Sequence, residues 1–437
     1  MLSQANNDLL TLVEGDAPMG RVLRQWAWTP FALPSQLRPY EAPLKVRLLG
    51  EDYVAWRTPD GAIGFIDQAC PHRRASMALA RNEGCALRCI FHGWTVHADG
   101  YVAEAPSHHG DAEKFAASVK VKHYPTFEGG DMVWVYLGDG DPPPRPNLPM
   151  FQCGEGQVYT VLTKAYCNWF QGVEGSIDTA HLTSLHTSWI PTLSPKGKSE
   201  EGQKGDKDVI MQAEAPIYEI QRRPWGLTAV GLRKTPKGKL HMRASQYVAP
   251  YLTLIPSYPH HTGTFFAIVP VDNTHHLLFS GAFSFKDQVD ENWPLIRSMV
   301  GNGRLVKENF APLGGGVDEN FGQDREAMAN GHFSGFPNNL LEEDMVVQAS
   351  MGPITDRSKE HLSSSDTALV QARMLMLKAL RNDAEGQHPL SPRNADYGFE
   401  EAMPVDAMIP IDENWADVLE AVPAKLRETT GAASAGA

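Results

Sequence analysis

The stretch CPHRRASMALARNEGCALRCIFHGW, residues 70 to 94, decides how the first third of this chain is read. It holds two short pairs of metal-binding side chains, Cys70 with His72 and Cys89 with His92, and sixteen residues separate His72 from Cys89. Two such pairs on two turns of a small β domain can pinch one metal centre between them. Two thiolates and two imidazoles suit a mixed-ligand [2Fe–2S] cluster, with the thiolates on one iron and the histidines on the other, and they also satisfy a structural zinc site. The single residue inside the first pair is shorter than the usual zinc-pair gap of about two to four, which favours the cluster. Replacing two thiolates by neutral imidazoles raises the reduction potential, so such a cluster suits a relay that accepts electrons and passes them on.

Outward from this stretch, short apolar runs alternate with turn residues: LKVRLLG from Leu44, YVAWRT from Tyr53, the turn Pro59-Asp60-Gly61, AIGFID from Ala62 and DMVWVYLG from Asp131. That pattern predicts an antiparallel β domain over residues 41–150. It closes at GDGDPPPRPNLP, Gly138 to Pro149, whose prolines lack the amide hydrogen and fix φ, so neither a helix nor a central strand passes through. Residues 1–40 are expected to pack on the second domain, which covers 151–428. That domain reads as α+β, with a helical stretch near Phe170 to Leu185, a β-rich span from Val209 to Phe285, and helices over Leu340 to Ser350 and Thr367 to Leu380. The tail 429–437, TTGAASAGA, is small and polar and is expected to be disordered.

The 437 residues carry a formal charge of -13 and no long basic stretch, which argues against nucleic acid or anionic lipid as a partner. No apolar run has the length of a membrane span or a signal-peptide core, so cytoplasmic residence is the expectation. Five cysteines, an odd number spread widely, make a disulfide framework improbable. Cys85, Cys153 and Cys167 read as buried small apolar residues, and His97, His108 and His109 as surface residues.

A second constellation lies in NWFQGVEGSIDTAHLTSLH, Asn168 to His186. On a helix Asp178 and His181 share a face, whereas His186, five residues further on, points away from His181. Bringing both imidazoles to one ion needs a widened turn or a break between them. Two histidines and one carboxylate make the facial triad of non-haem Fe(II) oxygenases, with open positions for O2 and substrate.

CPHR and CxxHGW closely resemble the cluster signature of Rieske-type bacterial ring-hydroxylating oxygenases, and Asp-x-x-His-x-x-x-x-His resembles their mononuclear iron motif. EGDAPMG, RLLGEDYVAWR and GPITDR extend the likeness over most of the chain, toward the phthalate-dioxygenase-like branch. The resemblance implies a Rieske β domain followed by a helix-grip-like α+β domain, its antiparallel sheet flanked by helices. It implies Cys70, His72, Cys89 and His92 as cluster ligands, and His181 and His186 as iron ligands. Asp178 becomes the bridge toward the cluster domain of a neighbouring subunit in a homotrimer or stacked trimers. The third iron ligand is carried over to Asp344 in LLEEDMVVQ, with Glu342 and Glu343 as competitors, although an acidic run opening a helix is ordinarily a solvated first turn. Asp356-Arg357 and Glu360-His361 also match the branch and read equally well as surface ion pairs.

With no dinucleotide-binding glycine motif in the chain, an NAD(P)H-dependent reductase is expected as a separate polypeptide. The branch implies aromatic carboxylic acids as substrates, and a carboxylate asks for a bidentate arginine. Arg222, Arg223, Arg233 and Arg243 lie in the β-rich span. Alternation in HMRASQYVAPYLTLIP puts Arg243, Ser245, Tyr247 and Tyr251 on one face and Met242, Val248, Leu252 and Leu254 on the other. Arg243, then Arg233 and Asn168, are the expected substrate contacts. The leading expectation is a terminal oxygenase that cis-dihydroxylates the ring with O2. A monooxygenase or O-demethylase uses the same ligands. A Rieske electron carrier without oxygen chemistry and a zinc-stabilised binding protein are the readings from other classes.

Overall fold

The computed structural model describes residues 2–193, 216–235, 238–257, 262–300, 316–384 and 398–430. The chain opens with two short helices, α1 (Gln4–Thr11) and α2 (Pro18–Trp26). The Ser3 side chain caps α1 by accepting from the Asn6 amide, and Pro18 sits in the first turn of α2, where a missing N–H costs nothing. They turn Leu10, Met19, Val22 and Leu23 inward. The Leu2 amide donates to the Arg357 carbonyl and Asn7 Nδ2 to the Thr355 carbonyl, so the chain start is tied to a segment far along the sequence.

Strand β1 (Trp28–Ala32) pairs with β10 (Met132–Tyr136), which pairs in turn with β9 (Thr126–Gly129). Residues 28–32 therefore belong with the β domain and not with the helices before them. A meander of β2 (Leu44–Leu48), β3 (Glu51–Arg57) and β4 (Ile63–Asp67) is followed by a four-stranded sheet of β5 (Arg81–Asn82), β6 (Ala86–Arg88), β7 (Thr95–His97) and β8 (Val102–Glu104). Helix α3 (Ala112–Ser118) lies against β8. Val54, Trp56, Ile66, Met77, Leu87 and Val96 form a small core of their own there. The proline-rich segment after β10 runs without regular structure up to a 3-10 turn at Pro149.

The second half is an eight-stranded antiparallel sheet. Its order is β11 (Val158–Ala165), β17 (His276–Ser284), β16 (Thr262–Pro270), β15 (Leu252–Pro256), β14 (Lys239–Val248), β13 (Gly226–Lys234) and β12 (Ile217–Arg223), with β18 (Val405–Pro410) paired to the first half of β14. Helix α4 (Trp169–Ile177) crosses one face. It approaches so closely that a Cβ on Gly172 would stand 2.9 Å from both His276 and Ile268. Around the sheet lie α5 (Pro294–Val300), α6 (Arg325–Ala329), α7 (Leu340–Ser350), α8 (Thr367–Ala384) and α9 (Trp415–Thr430).

The α+β expectation and both late helices hold. The expected helix from Phe170 to Leu185 does not, because α4 stops at Ile177 and a separate 3-10 turn covers His181–Thr183. The β-rich span is described from Ile217, and residues 209–215 lie outside the described residues. Tyr251 leaves the face assigned to it, because the chain turns at Ala249–Tyr251 and its hydroxyl lies 3.3 Å from Thr29 Oγ1. Helix α9 runs to Thr430, so the first two residues of the expected tail are helical, and 431–437 lie outside the described residues. Among the described residues no helix is long and apolar enough to cross a membrane.

Candidate metal centres

The two loops that carry the Cys and His pairs are built alike. In the first, the Cys70 amide donates to the Ala75 carbonyl and the Arg74 amide to the Cys70 carbonyl; in the second, Cys89 donates to Trp94 and Gly93 to Cys89. Each loop needs a left-handed residue four places after its cysteine, Arg74 at φ 62° and Gly93 at φ 72°. Glycine meets that need without steric cost, and the arginine meets it under strain. The loops face each other: the Cys70 and Cys89 thiols are within hydrogen-bonding reach, and the His72 and His92 rings lie 4.5 Å apart, edge to face. Burial pushes the Cys70 thiol up to about 11, against the backbone amides of His72 and Arg73 that point at its sulfur. Trp94 stacks on His72, and His72 Nδ1 is buried with no hydrogen-bond partner among the described residues. Two buried thiols, an orphaned imidazole nitrogen and a second imidazole beside it fit a cluster held between two thiolates and two histidines. Cys85, expected to be buried, is exposed.

The second site forms where α4 ends. Asp178 has left the helix with extended φ and ψ, and its carboxylate turns forward to accept from the Ala180 amide at 2.7 Å and the His181 amide at 3.3 Å. The helix therefore ends before His181, and a second break falls between the two histidines, as the sequence required, where the 3-10 turn His181–Thr183 stops at Ser184 with φ -124° and ψ -70°. His181 and His186 then turn their Nε2 atoms toward Asp344 Oδ1, at 3.7 Å and 3.1 Å. The three side chains offer donor atoms all within 4.8 Å of one another. Adjacent ligands on an octahedral ion with bonds of about 2.1 Å stand about 3 Å apart, so the set suits a transition ion with an open face. Burial would raise the Asp344 carboxyl, but the two imidazoles outweigh it and hold it below the ordinary range. Asp178, against its own burial, is held low by His181 Nδ1 at 3.2 Å.

Comparison with known proteins joins the two sites. Residues 27–125 match the Rieske [2Fe-2S] domain, and residues 135–432 match the LigXa C-terminal domain like family. The chain belongs to the Rieske non-haem iron oxygenases. It is 36% identical to the phthalate 4,5-dioxygenase oxygenase subunit of Pseudomonas putida, over 95% of this chain and 94% of that one. It is 31% identical to the 3-chlorobenzoate-3,4-dioxygenase oxygenase subunit of Comamonas testosteroni, over 91% and 93%. The fold also matches the crystal structure of dicamba monooxygenase bound to 3,6 dichlorosalicylic acid, with a TM-score of 0.57 and 18% identity over 83% of this chain and 98% of that one. As a Rieske oxygenase the chain is an oxidoreductase that incorporates O2, with a [2Fe–2S] cluster and a mononuclear iron as its cofactors. The electron-carrier and zinc-protein readings are set aside on these grounds.

The acidic run of this oxygenase departs from the sequence expectation. Asn339 caps α7 by accepting from the Glu342 amide, yet the first turn is not solvated: Glu342 is 1% exposed and Glu343 0%. Glu343 Oε2 accepts from His186 Nδ1 at 2.6 Å, and its Oε1 accepts from Ser334 Oγ at 2.5 Å. Glu342 turns toward Asn338. Only Asp344 of the three acids faces both Nε2 atoms.

Arg357 also departs, being fully buried and not a surface ion pair. Its Nε and Nη2 grip the Glu174 carboxylate at 2.6–3.1 Å, and Nη1 donates to Asn7. Arg373 donates to the same Glu174 and to Glu360, so two cations and two carboxylates lock α4 to α1 and α8. Asp356 is the surface member of that segment and pairs with Lys359.

Of the expected substrate contacts, Asn168 is fully used elsewhere. It caps α4 at the Phe170 amide and donates to the Thr11 and Asn273 carbonyls, so its role is structural. Arg222 is exposed, and Arg223 pairs with Glu420. Arg233 and Arg243 point the other way. Antiparallel register sets Arg243 opposite Gly231 and Asp406, and Arg233 opposite His241, so all these side chains share one face. It is the face on which α4 lies, since Thr179 Oγ1 would stand 3.5 Å from a Cβ on Gly231. Arg243 Nη1 and His241 Nε2 both reach Asp406, at 3.2 Å and 2.9 Å. Arg233, 2% exposed, donates Nη2 to the Thr179 carbonyl at 3.2 Å, while its Nε and Nη1 have no partner among the described residues. Among the described residues Arg243 Nε and Ser245 Oγ are also unpartnered. Burial first, and then the charge of Arg243, pull the Arg233 pKa down.

Proposed function

We propose that this chain is the terminal oxygenase of a multicomponent system that hydroxylates an aromatic carboxylic acid, with ring cis-dihydroxylation as the outcome. The observation that carries the substrate class is the unpaired guanidinium edge of Arg233. Its Nε and Nη1 find no hydrogen-bond partner among the described residues, buried donors left so are costly, and a planar carboxylate is the ligand whose geometry fits them. Arg243, on the next position of the same face, supplies a second cation. Both lie beneath the loop that carries Asp178 and His181, so an acid held there presents its ring toward the triad. The phthalate and chlorobenzoate relatives are named for acids of this kind.

In this reading Cys70, His72, Cys89 and His92 hold the cluster, and His181, His186 and Asp344 hold the iron. The metal ion, when bound, supplies O2 activation using electrons relayed from the cluster. The protein's part is to orient those ligands, hold the Asp178 carboxylate against His181 Nδ1 and exclude water beneath the ring. A separate NAD(P)H-dependent reductase supplies the electrons in the cytoplasm. A head-to-tail trimer brings the cluster tip of one subunit to Asp178 of the next. Exposed Ile90 and Phe91, in the loop that carries His92, suit burial at such an interface.

The test is binding and turnover of benzoate- and phthalate-type acids against their methyl esters, in wild type, Arg233→Met and Arg243→Met. We expect the acid alone to stimulate O2 uptake, and its affinity to fall about tenfold to a hundredfold in each variant, about 1.4 kcal/mol per decade. Equal use of acid and ester, unchanged by either substitution, overturns the substrate class. Isotopic O2 then separates dihydroxylation, with two labelled atoms in the product, from monooxygenation or O-demethylation.

A further inference from the structure

Two consecutive acids on one helix embrace a single imidazole. Glu343 reaches His186 Nδ1 at 2.6 Å while Asp344 reaches Nε2 of the same ring at 3.1 Å. Successive helix positions diverge by about 100°, so two neighbours cannot ordinarily act on one group. They do so here because the longer Glu343 side chain takes the far nitrogen and the shorter Asp344 the near one. The Glu343 carboxylate is closed on its other side by Ser334 Oγ at 2.5 Å, which in turn accepts from the Phe336 amide at 3.2 Å. Glu343 is 0% exposed and the His186 side chain 3%, so water cannot take the place of either partner.

We infer that Glu343, held by Ser334, is a positioning residue for the mononuclear iron: it fixes His186 in the Nδ1–H tautomer with Nε2 directed at the metal, and it adds a buried negative charge to the site. The inference rests on reading His181, His186 and Asp344 as the iron ligands. A carboxylate that accepts from the outer nitrogen of a ligating histidine raises the basicity of the inner one, and its loss typically costs about tenfold to a hundredfold in metal affinity. The charge matters separately. Asp344, Asp178 and Glu343 set three carboxylates about one ion, an arrangement that favours the more highly charged ferric form, so removing one moves the iron potential upward. The two histidines are thereby made unequal. The Asp178 partner of His181 is partly open to solvent at 22%, while the partner of His186 is sealed inside.

Glu343→Gln separates charge from shape. The amide keeps the volume, can accept from His186 with its oxygen and can donate to Ser334 with its nitrogen, so a residue needed only for its shape tolerates it. The experiment measures the dissociation constant of Co(II) and Fe(II) for the apo mononuclear site, and the potential of its iron, in wild type, Glu343→Gln, Ser334→Ala and His181→Ala. The EPR spectrum of the reduced cluster is recorded as an internal standard. Expected are a tenfold to hundredfold weaker metal affinity and a higher iron potential in Glu343→Gln, a smaller loss in Ser334→Ala, and an unaltered cluster spectrum in both. Affinity and potential both unchanged in Glu343→Gln, with His181→Ala unable to bind metal, overturn the role of Glu343 alone. Normal metal binding by His181→Ala overturns the ligand assignment beneath it.

Discussion

The two metal centres are built by opposite means. The cluster site is made of backbone: two loops with the same hydrogen bonds and the same left-handed corner present four side chains within 25 residues of sequence, over a small core of their own. The iron site is made of side chains drawn from distant segments, with α4 and the turn after it giving His181 and His186 and α7 giving Asp344. Buried ion pairs of Glu174 with Arg357 and with Arg373 of α8, and the Arg357 hydrogen bond to Asn7 of α1, set the position of α4. Local geometry specifies the first centre. Long-range electrostatics specify the second, and each can be disturbed without the other.

The largest break in this comparison comes from removing a ligand on one side. His186→Ala is expected to abolish product formation while leaving the reduced cluster spectrum intact, and Cys70→Ser to erase the spectrum while leaving metal binding at the triad. Crossed losses in both assays contradict independent construction.

Next in size is Arg357→Ala. Removing Arg357 leaves the buried Glu174 to Arg373 alone and Asn7 without its donor, at a cost of up to about 3–5 kcal/mol, whereas Arg357→Met with Glu174→Gln together recovers part of it. Urea unfolding followed on the catalytic half reads the loss directly, and a loss below about 1 kcal/mol would mean that the network does not hold α4. The pH dependence sharpens the contrast further. His276, beneath Gly172 of α4, donates Nδ1 to the Cys167 carbonyl, and burial pulls its pKa down to about 4. A depressed histidine stabilises the fold above its unfolded pKa near 6.5. That stability is lost as pH falls from about 6.5 toward 4, at up to about 1.4 kcal/mol per unit. The thermal midpoint should fall over that window in wild type and less steeply in His276→Gln. The smallest effect belongs to the cluster loop: Arg74→Gly relieves the left-handed corner and gains up to about 1 kcal/mol without change in the cluster spectrum. A loss there would mean that the arginine side chain, and not the backbone turn, shapes the loop.

The same contrast explains what the sequence disclosed. Cys70, His72, Cys89 and His92 stand in one short stretch, so the cluster motif and its β domain were legible, as was the pairing of His181 with His186. Asp344 follows His186 by 158 positions, and only a resemblance singled it out from Glu342 and Glu343. The signal that could have assigned Glu343 was present in the run LLEED itself: three adjacent acids flanked by apolar residues are too costly to bury unless each has a partner. Arg357 and Asn168 were misread because burial is set by tertiary contacts that no local pattern shows. Arg243 and Arg233 were already singled out ahead of Arg222 and Arg223, and strand register adds that both lie on the face beneath α4.

The most direct test is the count of iron, zinc and acid-labile sulfide per chain, with EPR of the dithionite-reduced protein, in wild type and Asp344→Ala. Two independent centres predict about three irons and two sulfides with a Rieske spectrum, falling by one iron in the variant with the spectrum unchanged. Zinc without sulfide, or two irons that Asp344→Ala leaves untouched, would contradict it.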